Sequence, residues 1–200
     1  MKVLFATTNA AKVASVARVL GSRGITVERI DVELPELQAD DAEGVALGKI
    51  RAALASLSVP VMVVDSAFHI DALGGFPGPY VKHVTAKIGI AGYLDLLSRH
   101  PDPGSRGCAF VDAVAYADPM LPAPLVFVRR ERGTVADSPR GDPAGHKSPM
   151  ATLFIPEGCG KTIAEMAPEE LHAYRTRPTT EKVYHDLASA ILHGQTSFEE

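Results

Sequence analysis

Apolar and polar residues along the chain fall into strand-length runs that alternate with amphipathic, helix-length segments. Residues 2–7 are β-branched, aromatic or apolar and predict a buried strand, followed by an amphipathic helix of about three turns that ends near Gly21. A strand is expected over 25–32, and Asp40, three residues before Glu43, has capping-box spacing for a helix running through about Leu57. The apolar run 61–64 predicts a fully buried strand ending at Asp65-Ser66, with a second short strand-like piece after it. Residues 73–80, LGGFPGPY, hold three glycines and two prolines in eight positions and prescribe a tight loop. The pattern continues with a helix from Tyr80 to about Leu97 and an antiparallel hairpin of 108–117 and 125–135 across a proline-rich turn. A loop over 138–150, a strand over 151–156 and helices over 162–174 and 180–192 complete it.

This is the pattern of an α/β domain, and 200 residues suit a single domain, here 1–194 with a loose C-terminal tail at 195–200. Composition adds mainly exclusions. A net charge of -4 gives no basic field to hold long nucleic acid. The two cysteines, Cys108 and Cys159, lack metal-ligand spacing, no apolar signal segment opens the chain, and no run approaches the length of a membrane span. A cytoplasmic location with reduced thiols is the expectation.

Two places carry candidate chemistry. Asp65 and Ser66 are the first polar residues after a buried strand, where open α/β sheets keep their ligands, although Asp-Ser pairs are equally common turn formers. Thr7, Thr8, Asn9 and Lys12 lie between the first strand and its helix. There the N-terminal N–H groups and helix dipole favour an anion and a lysine one turn in adds charge. The alternative is an ordinary cap, Thr8 or Asn9, with Lys12 in solvent. Lys49 is a lone helical lysine, a type usually solvated. Lys82 sits in a helix's first turn, unfavourable for a cation unless an anion is near, which makes it the better candidate locally.

ATTNAAK (6–12), LPELQ (34–38), DSAFHIDALGGFPGPYVK (65–82), PRG (139–141) and FIPEGCGKTIAEM (154–166), in this order and spacing, resemble the inosine triphosphate pyrophosphatase, or Ham1-like, family over nearly the whole chain. The resemblance implies an elongated mixed sheet with flanking helices in two lobes around a nucleotide-binding cleft, commonly in a homodimer. It implies hydrolysis of non-canonical purine nucleoside triphosphates to monophosphate and diphosphate, with Mg²⁺ or Mn²⁺. Carried over by position, the catalytic set is Asp65, Lys12 and Asn9, and the metal carboxylates are Glu36 and Asp65. Substrate contacts fall on Thr7, Thr8, Asn9, Lys12, Lys49, Ser66, Lys82 and Arg177. This set matches the chemical need for a divalent ion, a carboxylate for ion or water, and lysines around the leaving group.

The departures are as informative. Val64 stands where the family usually has a second acid. Ser148-Pro149-Met150-Ala151 replaces the aromatic platform and acidic hook that read a 6-oxopurine. Arg175-Thr176-Arg177 replaces Ser-His-Arg, and a family lysine near Leu171 is absent. Three readings result: a nucleotide pyrophosphatase with altered base recognition, serving a specialised nucleotide pathway; a house-cleaning enzyme for inosine and xanthosine triphosphates; or a non-catalytic nucleotide-binding protein.

Overall fold

The computed structural model describes every residue except Glu36, Pro101, Pro103, Gly104, Lys147 and residues 197–200. In chain order the elements are β1 (Lys2–Ala6), α1 (Ala10–Gly21), β2 (Thr26–Ile30), α2 (Ala42–Leu57), β3 (Val61–Ile70), β4 (Pro77–Gly78) and α3 (Val81–Ser98). They continue with β5 (Gly107–Ala117), β6 (Leu125–Val135), β7 (Phe154–Pro156), α4 (Pro168–Arg175) and α5 (Pro178–Thr196). Among the described residues the strands form one mixed sheet of order β2-β1-β3-β5-β6-β7, with β4 pairing β3. β1 runs parallel to both β2 and β3, whereas β4 is antiparallel to β3 and β7 to β6.

The chain forms two compact units: Met1–Asp65, Asp112–Arg129 and Arg177 onward in the first, Ser66–Val111 and Arg130–Thr176 in the second. β3, β5 and β6 each pass from one unit to the other along their length. The first unit's core joins Val3 and Phe5 of β1, Val16 and Leu20 of α1, Val114 and Tyr116 of β5, and Val183, Leu187 and Ile191 of α5. The helical members recur every three or four residues, so each helix buries one stripe. The second core gathers Phe68, Ile70, Tyr93, Met150, Leu153 and Phe154. Phe110 packs against it, its ring 4.6 Å from Phe68 and 4.9 Å from Phe154.

Several elements differ from the sequence expectation. β3 does not stop at Asp65-Ser66 but continues unbroken to Ile70, because Ala67, Phe68 and Ile70 supply buried positions beyond the polar pair. Asp65 therefore stands within its own strand. It lies at a strand end in another sense: β1 pairs β3 at Leu4 with Val61 and Phe5 with Met62 and stops at Ala6, short of Asp65. The cap of α2 is Asp41, one residue later than expected; its carboxylate accepts the Gly44 N–H at 2.8 Å. The expected strand over 151–156 shrinks to β7, since residues 149–152 form a 3-10 turn opened by Pro149. The helix expected over 162–174 is a 3-10 turn, Ile163–Glu165, and then α4 with Pro168 at its start. α5 runs from Pro178 to Thr196, longer than expected at both ends, and the rest of the expected tail, 197–200, lies outside the described residues.

The loop after β6 is pinned at several points. Arg140 N–H donates to the Thr152 carbonyl at 2.9 Å, and Thr162 Oγ1 donates to the Arg140 carbonyl at 3.0 Å. Gly141 has φ +81°, and a Cβ there would lie 2.2–2.5 Å from backbone atoms of Ala164 and Glu165.

Candidate functional site

The first turn of α1 is built where β1 ends. Thr7 N–H extends the ladder to the Ile30 carbonyl at 3.1 Å, and the Thr7 hydroxyl accepts the Asn9 N–H at 3.0 Å. The Asn9 carbonyl then accepts the Lys12 N–H at 3.1 Å, so the chain turns from strand to helix within three residues. Thr8 is exposed at this turn and Asn9 half-buried. Lys12 does not extend into solvent: its Nζ donates to the Val64 carbonyl on β3 at 3.2 Å. That contact reaches across to β3 and is at odds with the alternative of a Lys12 in solvent.

One residue further along β3, Asp65 Oδ1 accepts a charge-assisted hydrogen bond from Lys49 Nζ of α2 at 2.7 Å, with only 12% and 16% of the two side chains exposed. Lys49 is thus brought to Asp65 by its helix face, although local sequence alone favoured Lys82 over it. Lys82 is exposed on the first turn of α3, in the second unit, and Ser66 is half-buried on β3 in that same unit. Glu36 lies outside the described residues. Arg177 is half-buried just before α5, where its carbonyl accepts the N–H groups of Thr180 at 2.9 Å and Glu181 at 3.1 Å.

A second ion pair was not anticipated. Asp112 of β5 bonds Arg129 of β6, with side chains 17% and 20% exposed. Burial pushes the Lys12 ammonium below the usual lysine value; Asp112 and then Asp65 oppose that shift, and Lys49 adds to it. Tyr184 of α5 is pushed up to about 12, by burial first and the Asp112 charge second, with Arg129 opposing. Lys12, Lys49, Asp65, Asp112, Arg129 and Tyr184 thus form one electrostatic group within the first unit. A carboxylate inside the apolar run CAFVDAVAYA was the available sequence signal, since Asp is almost never buried unpaired.

The segment that departs from the expected base-reading residues is occupied structurally. Ser148 Oγ accepts the Met150 N–H at 3.2 Å, and Met150 and Ala151 are buried, Met150 in the second core. Thr176 Oγ1 donates back to the His172 carbonyl at 3.0 Å. His146, half-buried on the loop before Ser148, is held below the usual histidine value by burial first and by Arg175 second, with Asp142 opposing.

Among the described residues no three His, Cys, Asp or Glu side chains converge to hold a metal. The donor set still suits Mg²⁺, which is bound through one or two carboxylates plus substrate phosphates and keeps several waters. Asp65 is a carboxylate of that kind. No described helix is long and apolar enough to cross a membrane.

Comparison with known proteins decides the family, because residues 3–180 match the Ham1 family. The chain belongs to the Ham1 family. A relative from Methanopyrus kandleri, a dITP/XTP pyrophosphatase, is 42% identical over 170 residues, covering 85% of this chain and 87% of the relative. Another dITP/XTP pyrophosphatase, from Pyrococcus horikoshii, is 33% identical and covers 96% of this chain and 99% of its own length. The crystal structure of a nucleoside-triphosphatase / dITP/XTP pyrophosphatase from Mycobacterium abscessus superposes with a TM-score of 0.73 at 29% identity, over 95% of this chain and 98% of that one. A HAM1 protein from Coxiella burnetii, 22% identical, shares the fold with a TM-score of 0.79, over 96% and 99% of the two chains.

Proposed function

We propose that the protein is a divalent-metal-dependent nucleoside triphosphate pyrophosphatase, releasing nucleoside monophosphate and diphosphate, whose base recognition differs from that of its relatives. The observation that carries this reading is the Lys12 ammonium at the Val64 carbonyl, one residue from the Asp65–Lys49 pair. It sets a phosphate-binding helix start, a carboxylate and a second lysine around one stretch of β3. In this reading the Thr7–Asn9 turn and Lys12 hold the polyphosphate, with Thr8, Ser66, Lys82 and Arg177 as further contacts. Asp65 accepts the proton of the water that adds to the α-phosphorus as the bond to the β-phosphate oxygen breaks and diphosphate leaves, and Lys49 orients Asp65. Asp65, with Glu36, would hold Mg²⁺ or Mn²⁺, which when bound neutralises phosphate charge and polarises the attacked group. A cytoplasmic homodimer is the assembly and setting we assign.

The house-cleaning alternative is favoured by relatives that act on dITP and XTP at 42% and 33% identity. Altered base reading is favoured by Ser148-Pro149-Met150-Ala151, which offers neither aromatic ring nor acid, and whose Met150 and Ala151 are buried while Ser148 accepts the Met150 N–H. A buried acceptor matched to a 6-oxopurine's N1-H can reject mismatches by ~10⁴, and nothing at 148–151 supplies one. The test is diphosphate release from inosine, xanthosine, deoxyinosine, adenosine and guanosine triphosphates with Mg²⁺. Hydrolysis with a kcat/KM preference for inosine triphosphate over ATP below about 10³ is expected. A larger preference overturns the altered-recognition reading, and release of orthophosphate in place of diphosphate overturns the reaction.

A further inference from the structure

The turn after β1 is tied down from several directions. Thr7 N–H continues the ladder to the Ile30 carbonyl, the Thr7 hydroxyl accepts the Asn9 N–H, and the Asn9 carbonyl accepts the Lys12 N–H. The peptide between Thr7 and Thr8 is held differently. β2 ends at Ile30, and where a parallel ladder would carry a further backbone bond a side chain takes over: Arg29 Nε donates to the Thr7 carbonyl at 3.2 Å. Arg29 stands opposite Phe5 in the β1–β2 register, so its side chain reaches two residues along β1 to make this bond. The guanidinium is fixed in turn, its Nη2 donating to Asp31 Oδ2 at 2.7 Å. The Thr7–Thr8 peptide is trans, so its carbonyl and the Thr8 N–H point in opposite directions. With the carbonyl drawn to Arg29 on β2, the Thr8 N–H points away from β2. On that other side of β1 lie β3 and the Lys12 ammonium at the Val64 carbonyl.

We propose that Arg29 is a positioning residue for polyphosphate binding: through its Nε on the Thr7 carbonyl it sets the Thr7–Thr8 peptide so that the Thr8 N–H is aimed at the phosphates that Lys12 holds. The inference rests on the reading of the Thr7–Lys12 turn as the phosphate site. Arg29 and Asp31 are both exposed, and an ion pair of that kind contributes little to stability. Asp31 also balances the guanidinium charge, which weakens Arg29 as a direct ligand for an anion. What the arrangement supplies is direction. Asp31 orients the planar guanidinium, and Nε passes that orientation to the peptide. A backbone donor turned toward its ligand in advance loses its freedom on folding instead of on binding, so affinity rises without any contact between Arg29 and the phosphates.

The test is titration calorimetry with inorganic tripolyphosphate and Mg²⁺, a probe that carries no base. Parent, Arg29→Ala, Arg29→Gln, Arg29→Lys and Lys12→Ala are compared, with Tm recorded for each. Glutamine puts a neutral N–H donor at the same distance along the side chain as arginine Nε, whereas lysine keeps the charge and has a carbon there. Arg29→Ala and Arg29→Lys are expected to weaken binding about 3- to 10-fold, the scale of one net hydrogen bond, while Arg29→Gln stays within about 2-fold of the parent. If Arg29→Ala fails to fold, the comparison of Arg29→Gln with Arg29→Lys decides alone. Parent-like binding by Arg29→Lys with a loss in Arg29→Gln overturns the proposal, because charge and not the Nε donor is then at work. An equal loss in all three Arg29 variants, or no loss in any, also overturns it and leaves Arg29 a surface ion pair. If Lys12→Ala binds as tightly as the parent, or the parent binds no tripolyphosphate, the phosphate reading itself falls and this inference with it.

Discussion

Asp65 is the residue on which most of the proposed chemistry converges. Its carboxylate is largely buried and bonded to Lys49 at 2.7 Å. Asp65→Asn keeps the shape and removes the charge, so kcat should fall by on the order of 10²-fold or more, whether the group serves the water or the metal. The check is diphosphate release by protein whose Tm has been measured, since the change also takes a charged partner from Lys49; full turnover would overturn the assignment. At this scale part of the proposed site's local geometry was legible in the sequence. Thr7, Asn9 and Lys12 form a local turn, closed by the Asn9 N–H on the Thr7 hydroxyl and the Lys12 N–H on the Asn9 carbonyl, while Thr7 N–H and Lys12 Nζ reach out to β2 and β3. Lys49 was legible only as a residue, because its partner is 16 positions away on another element. Asp112 and Arg129 were missed for the same reason: each sits in a strand, and only the pairing of the two strands turns isolated charges into an ion pair.

At the scale of elements, polarity was an imperfect guide to boundaries. An Asp-Ser pair looked like the end of a strand, but β3 accommodates it because Asp65 finds Lys49 and the strand's later residues bury themselves. Prolines decided two other limits, at Pro149 and Pro168, where a ring without an N–H opens a turn or helix and cannot continue one. The pinned loop yields a comparison of glycines. Gly141→Ala should cost about 3 kcal/mol or more, because positive φ combines with a Cβ 2.2–2.5 Å from the Ala164–Glu165 backbone. Gly145→Ala, at φ +78° with nothing within 4 Å among the described residues, should cost about 1–2 kcal/mol, from backbone strain alone. Urea unfolding of the two variants checks the difference. The turn beside Gly141 also responds to pH. Glu165 closes a capping box, accepting the Thr162 N–H at 2.7 Å, and that hydrogen bond foremost holds its carboxyl below the ordinary 4.5. A depressed carboxyl stabilises the fold above the unfolded-state value and loses that contribution as pH falls through the folded one. Glu165→Gln should therefore lower Tm at pH 7, with the gap to the parent closing as pH drops below the usual glutamate range.

At the scale of the whole molecule, alternating strands and helices made the α/β class legible, and the family resemblance supplied the mixed sheet. The division into two units was not readable residue by residue, since β3, β5 and β6 are each continuous strands that pass from one unit to the other. Each unit has its own core, so Leu187→Ala in the first and Phe154→Ala in the second should each cost several kcal/mol, roughly 2–5 and 3–5, by denaturant unfolding. The cores differ in how they are spread along the chain. Every member of the second lies between Phe68 and Phe154, whereas the first needs Val3 and Phe5 from one end and Val183, Leu187, Ala188 and Ile191 from the other. During synthesis, then, the middle of the protein can close its interior while the N-terminal strand still waits for the last helix to leave the ribosome. A nascent chain that has emerged from the ribosome as far as Thr176 presents all of the second core and lacks four of the twelve buried residues of the first. Brief protease treatment of such chains should spare the middle and cut the beginning, so the Thr7–Lys12 turn proposed to hold polyphosphate gains its full support only once α5 has joined the first core.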